Sequence, residues 1–194
     1  MSRKPIYVSV DIEADGPIPG IYSMLSLGAA AFELGNRTPL DTFEINLSPL
    51  PGASQDTSTM VWWSKQPEAW NYITQNQQDP QTAMATFRTW LKNLPGNPTF
   101  VGYPVTFDFM FTHWYLVRFT GFPTPFGIAG CDLKTKASTL LKTPFRELSK
   151  KTMPKGWFEG YPPHTHKALD DAIGQGIMFI NMMMSEDPYE NSSW

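Results

Sequence analysis

Hydrophobic and polar residues alternate strictly over residues 6–13. Ile6, Val8, Val10 and Ile12 fall on one face of an extended segment, and Tyr7, Ser9, Asp11 and Glu13 on the other. A period of two marks a half-buried strand, and Asp15-Gly16-Pro17 supplies the turn chemistry that ends it. A second strand is expected over 24–34, where small residues from Gly28 to Ala31 leave room for a helix to pack closely. The turn-forming run 35–39 leads to a third strand over 40–47, so the first three elements read as an antiparallel meander. After a loop over 48–59, helices are expected over 60–77 and 80–94, the second stopped by Pro95-Gly96-Asn97-Pro98. A strand over 99–103 and a helix over 106–119 follow, the helix carrying Phe107, Met110, Phe111, Trp114 and Val117 at helical spacing. The remaining elements are a fifth strand over 126–131, a short helix over 134–141 and a last helix over 166–184. With no repeat and no dividing linker, residues 1–184 read as one domain and 185–194 as a polar tail. The fold class is α/β, a mixed five-stranded sheet flanked by helices.

Composition narrows the class of protein. Of 194 residues, 41% are hydrophobic and 14% aromatic, which excludes disorder along most of the chain. The single cysteine, Cys131, makes no internal disulfide. The chain opens without a signal peptide and nowhere approaches the ~18 consecutive apolar residues of a spanning helix. A cytoplasmic protein with no membrane partner is therefore expected. The formal net charge of −3 argues against nucleic-acid binding if taken alone, since such domains usually carry a basic excess.

Three acidic features carry chemistry. Asp11-x-Glu13 points two carboxylates off the same strand face. Anions that close repel unless cations lie between them or one stays protonated, and hard divalent ions prefer such oxygen ligands. A polar strand end facing water is the simpler alternative. Phe107-Asp108 places a carboxylate in the first turn of a central helix, with Thr106 as its expected cap; stabilisation of the helix dipole alone would account for it. In His166-Lys167-Ala168-Leu169-Asp170-Asp171, five helical residues would turn about 140° net, so His166 must sit in a loop or at the helix edge to serve the same site as Asp171. Asp170 should point elsewhere.

D-x-E on the first strand, F-D at a central helix start and H-x-x-x-x-D at the last helix occur in this order. The combination resembles the DEDDh family of 3′–5′ exonucleases, which have a ribonuclease-H-like fold; the matching residues are Asp11, Glu13, Asp108, His166 and Asp171. The resemblance spans about residues 5–184. Val61-Trp62-Trp63-Ser64-Lys65-Gln66-Pro67 is similar to the W-W-x-x-Q stretch of a branch containing small bacterial exoribonucleases and phage exonucleases. The resemblance implies two Mg²⁺ or Mn²⁺ ions held by Asp11, Glu13, Asp108 and Asp171, Asp11 bridging both, with His166 as general base. Such a pair, about 3.5–4 Å apart, activates water and stabilises the leaving oxygen of a phosphodiester. Release of nucleoside 5′-monophosphates from single-stranded RNA or DNA 3′ ends follows. His164 is at the wrong spacing for this chemistry and reads as a loop residue with at most a substrate contact.

Two departures fall near the expected substrate groove. Ala14 follows Glu13 where many relatives have a small hydroxyl residue, and Tyr103-Pro104-Val105-Thr106 precedes Phe107-Asp108 where many have H-N-x-x. Candidate substrate contacts are Ala14, Trp62, Trp63, Gln66, Phe107, Lys150 and Lys151. Trp62 and Trp63, taken to lie at a helix start, point about 100° apart, so one can be core while the other stacks on a base. Residues 134–155 hold seven of the 15 basic residues (Lys134, Lys136, Lys142, Arg146, Lys150, Lys151 and Lys155) against one acid, Glu147. Such a run is commonly a solvated face; immediately before His166 it also fits a rim for phosphates. Net charge then reads as two opposed poles, and two bound divalent ions would carry it from −3 to about +1. A polymerase-associated proofreading exonuclease, a non-catalytic binding domain and a small-molecule phosphoesterase stay open as alternatives, as does a homodimer.

Overall fold

The computed structural model describes residues 4–163 and 165–185; His164 and most of the expected tail lie outside the described residues. Five strands, β1 (Pro5–Ala14), β2 (Met24–Phe32), β3 (Asp41–Asn46), β4 (Asn97–Gly102) and β5 (Gly130–Asp132), form one sheet in the order β3-β2-β1-β4-β5. The meander β1-β2-β3 is antiparallel, and β4 and β5 add in parallel. Six helices complete the chain: α1 (Thr57–Trp63), α2 (Pro67–Ile73), α3 (Pro80–Asn93), α4 (Val105–Thr120), α5 (Leu133–Leu141) and α6 (Ala168–Met184). None is long and apolar enough to cross a membrane.

Alternation in β1 separates two cores. Ile6, Val8, Val10 and Ile12 pack with Phe87, Leu91, Phe111, Tyr115 and Leu116 of α3 and α4. On the opposite face Tyr7 packs with Ile177, Met178, Phe179 and Ile180 of α6, and with Leu148, Met153 and Trp157 of the segment before it. That segment carries two short 3₁₀ turns, Lys150–Thr152 and Lys155–Phe158.

Four expectations need correction. The helix expected over 60–77 is two helices, because Pro67 has no N–H to continue the first and instead starts the second at its N1 position. Trp62 and Trp63 consequently end a helix rather than begin one. The fifth strand is only Gly130–Asp132. Thr106 does not cap α4, which starts at Val105; Val105 N–H donates to the Asp132 carboxylate at 2.8 Å.

Candidate active site

The parallel pairing of β1 with β4 runs from Pro5↔Asn97 to Ser9↔Val101 and then stops. Beyond it the C-terminal part of β1 runs on without a β4 partner, at the carboxyl ends of two parallel strands, the usual ligand position in open α/β sheets. Asp11 and Glu13 lie on this stretch, on the α6 side of the sheet. Ile12 N–H donates to Asp108 Oδ1 at 3.2 Å, which fixes the first turn of α4 against β1.

The third element arrives through a close approach. Asp11 pairs with Gly28 of β2. A Cβ on Gly28 would lie 2.2 Å from Ala168 C and Leu169 N, so only glycine lets the start of α6 rest on the strand backbone. In the first turn of α6, Asp171 joins the two strand carboxylates. Asp11, Glu13 and Asp171 each place a carboxylate oxygen within 4.8 Å of the others. Asp108 stands beside this triad and shares its field.

The cluster is electrostatically costly to charge. Burial, followed by repulsion from Asp108, Glu13 and Asp171, raises the Asp11 carboxyl well above the ordinary carboxylate range. Glu13 is raised likewise, by burial and then by Asp171 and Asp108. Burial pushes Asp108 up to about 8 despite the Ile12 N–H. Convergent carboxylates that resist ionising without a counter-charge suit hard divalent cations.

His166 lies two residues before α6 with φ of 55°, so it occupies a turn at the helix edge near Asp171. Its ring meets Trp62 edge-on, with centroids 5.1 Å apart. Thr165, His166 and Lys167 line a cleft of about 590 Å³ together with Gln66, Pro67, Glu68 and Ala69. Asp170 turns aside and accepts a hydrogen bond from Thr165.

The two tryptophans part company. Trp63 is 1% exposed, and its Nε1–H donates to Ala14 O at 3.0 Å; Trp62 is 39% exposed. Ala14 is buried after the bulge that follows Glu13, so its backbone braces Trp63. Phe107 is half-buried, packed on Phe111 at 5.1 Å. Lys151 is exposed. Lys150 instead turns inward, donating to Tyr161 OH at 2.7 Å; burial lowers its pKa while Asp171, Asp11 and Asp108 act to raise it.

Gln175 went unread in the sequence. It is buried, and its Nε2–H donates to Asp11 Oδ1 at 2.7 Å. The available signal was its i+4 spacing from Asp171, which puts both on one helix face.

Strand-borne and helix-borne carboxylates on this sheet, with a histidine at the edge of the last helix, define a 3′–5′ exonuclease of the DEDDh type. Residues 7–183 match the 3′-5′ exoribonuclease Rv2179c-like domain, and the chain belongs to that family. It is 32% identical over 190 residues to the 3′-5′ DNA exonuclease Cap18 of Escherichia coli, covering 91% of this chain and 90% of Cap18. Among solved structures, a full-length 3′-exonuclease superposes with a TM-score of 0.67 at 13% identity, covering 94% of this chain and 83% of that one. The nuclease domain of 3′hExo, a DEDDh family member bound to rAMP, gives 0.61 at 15% identity, covering 92% and 90%.

Proposed function

We propose that this enzyme removes nucleoside 5′-monophosphates one at a time from the 3′ end of single-stranded RNA or DNA, with residues 1–184 as the catalytic unit. The observation that carries this reading is the convergence of Asp11, Glu13 and Asp171 within 4.8 Å, with Asp108 beside them. These four carboxylates would hold two divalent ions, Mg²⁺ or Mn²⁺. When bound, such ions activate water and stabilise the charge that develops on the phosphate.

The chain's own residues supply the rest. An imidazole nitrogen of His166 accepts the proton of the attacking water, a role suited to an unperturbed pKa near 6.5. The water oxygen bonds to phosphorus, the bond to the 3′-oxygen of the preceding nucleotide breaks, and that oxygen takes up a proton. Trp62 offers a ring to the terminal base, a contact of about 1–3 kcal/mol. Gln66 lines the same cleft as His166 and is placed to meet a base edge. Trp63 and Phe107 back these contacts from the core.

The matching family is one of 3′-5′ exoribonucleases while the similar Cap18 is a DNA exonuclease, so the sugar preference is the finer question. Matched single-stranded RNA and DNA oligonucleotides, incubated with Mg²⁺, Mn²⁺ or EDTA and with products identified, test the proposal. Stepwise 3′ shortening to 5′-monophosphates with either metal, abolished by EDTA, is expected. Shortening from the 5′ end, or undiminished shortening in EDTA, would overturn it.

A further inference from the structure

Lys150 is set apart from its basic neighbours. Leu148, Met153 and Trp157 anchor its segment in the core beneath α6. Ser149 N–H donates to Thr152 Oγ1, and Thr152 Oγ1–H donates to Ser149 O, both at 3.0 Å, which closes the turn that aims Lys150. Its ammonium lies 5.4 Å from the Tyr103 ring centroid and 5.0 Å from that of Tyr161. Tyr161 is itself pressed onto α6 at Gly174, where a Cβ would fall 2.4 Å from the ring. An ammonium has three N–H donors, and the Tyr161 hydroxyl takes one. Gly174 lies three residues after Asp171 on α6, so the ammonium bonded to Tyr161 stands against the helix face that carries this carboxylate, in the field of Asp171, Asp11 and Asp108.

We propose that Lys150 is the built-in counter-cation of the carboxylate site, relieving its repulsion before metal binds and passing its charge to a substrate phosphate afterwards. Four carboxylates and one ammonium leave a formal charge of −3. Two divalent ions would turn this to +1, which one phosphodiester neutralises. Lys150 and the metal ions are therefore antagonists at the empty-handed enzyme and partners once substrate is present. The inference rests on the divalent-ion reading above.

The test is calorimetric titration of Mn²⁺ into the whole protein without nucleic acid, comparing wild type with Lys150→Met, Lys150→Arg and Lys92→Met. Lys150→Met should bind Mn²⁺ about tenfold more tightly, because a cation opposing the ions has gone. Lys150→Arg and the distant Lys92→Met should match wild type. In EDTA, Lys150→Met should melt at a lower temperature than wild type, and single-stranded oligonucleotide should bind it more weakly. Unchanged or weakened Mn²⁺ affinity in Lys150→Met would overturn the proposal, since a merely structural lysine would do no better. If Lys150→Met does not fold, Lys150→Gln, whose amide can keep the Tyr161 contact, is read against the same two outcomes. Wild type that takes up no divalent ion would instead sink the functional reading itself.

Discussion

Asp11 and Glu13 ride on the central strand, while Asp108 and Asp171 sit in the first turns of two long helices that pack on opposite faces of the sheet. His166, Trp62 and Gln66 sit instead in turns or at the ends of short elements. The first group is fixed by long-range packing, through Ile12 on Asp108, Gln175 on Asp11 and α6 on Gly28. The second group is held by local turns and ring contacts, such as Trp62 on His166. The contrast indicates that the carboxylate geometry is set when the chain folds. The shell proposed to move protons and meet substrate can adjust around it, as loop-borne functional groups generally do.

Mutations at each region should therefore behave differently. The largest loss is expected for Asp11→Asn, which removes one of the three convergent carboxylates. Turnover should fall by about 10⁴-fold, the several kcal/mol that metal catalysis supplies, and Mn²⁺ affinity by calorimetry should fall with it. Full activity in that variant would break the assignment. For His166→Ala, a loss of about 10²–10⁴-fold is expected in steady-state turnover, with the melting temperature unchanged.

The tryptophan pair sharpens the comparison inside a single dipeptide. Trp63→Ala should destabilise the fold by about 3–5 kcal/mol in denaturant titration, since it empties a core site and strands Ala14 O. Trp62→Ala should leave stability alone and raise KM for oligonucleotides by about tenfold, the loss of one stacking contact. Equal effects from the two would contradict their separate roles.

The smallest effect is one of pH. Asp11, Glu13 and Asp108 all have carboxyl groups raised in the folded state, Asp108 to about 8. Between the unfolded carboxylate range and about 8, the folded protein holds more protons than the unfolded chain. Metal-free stability should then be greatest at low pH in that window and decline as pH rises toward 8. Thermal melts in EDTA from pH 5 to 8.5 should show this decline from the cluster, and saturating Mg²⁺ should flatten it. A metal-free melting temperature that rises across the window would count against the cluster's electrostatics.

Much of the scaffold was legible because its physics is local. The alternation of residues 6–13 located β1 and both of its carboxylates, and the small run at Gly28 pointed to close helix packing. Asp11, Glu13, Asp108 and Asp171 lie on the strand and helices expected of them, and His166 in the turn before the last helix. What escaped is what distance decides. The Val105 N–H finds Asp132, 27 residues on, so no local pattern at Thr106 could reveal it. Lys150 looks like any member of a basic run until the anchors at Leu148, Met153 and Trp157 turn it inward. The break at Pro67 was readable from the proline itself, which cannot continue a helix.

The comparison between a prebuilt carboxylate centre and an adjustable shell comes down to one variant measured in two ways. His166→Ala should be titrated with Mn²⁺ in the calorimeter and then assayed for 5′-monophosphate release from a single-stranded oligonucleotide. Wild-type Mn²⁺ affinity together with nearly abolished release is the predicted result. Loss of metal binding alongside activity, or release at the wild-type rate, would contradict it.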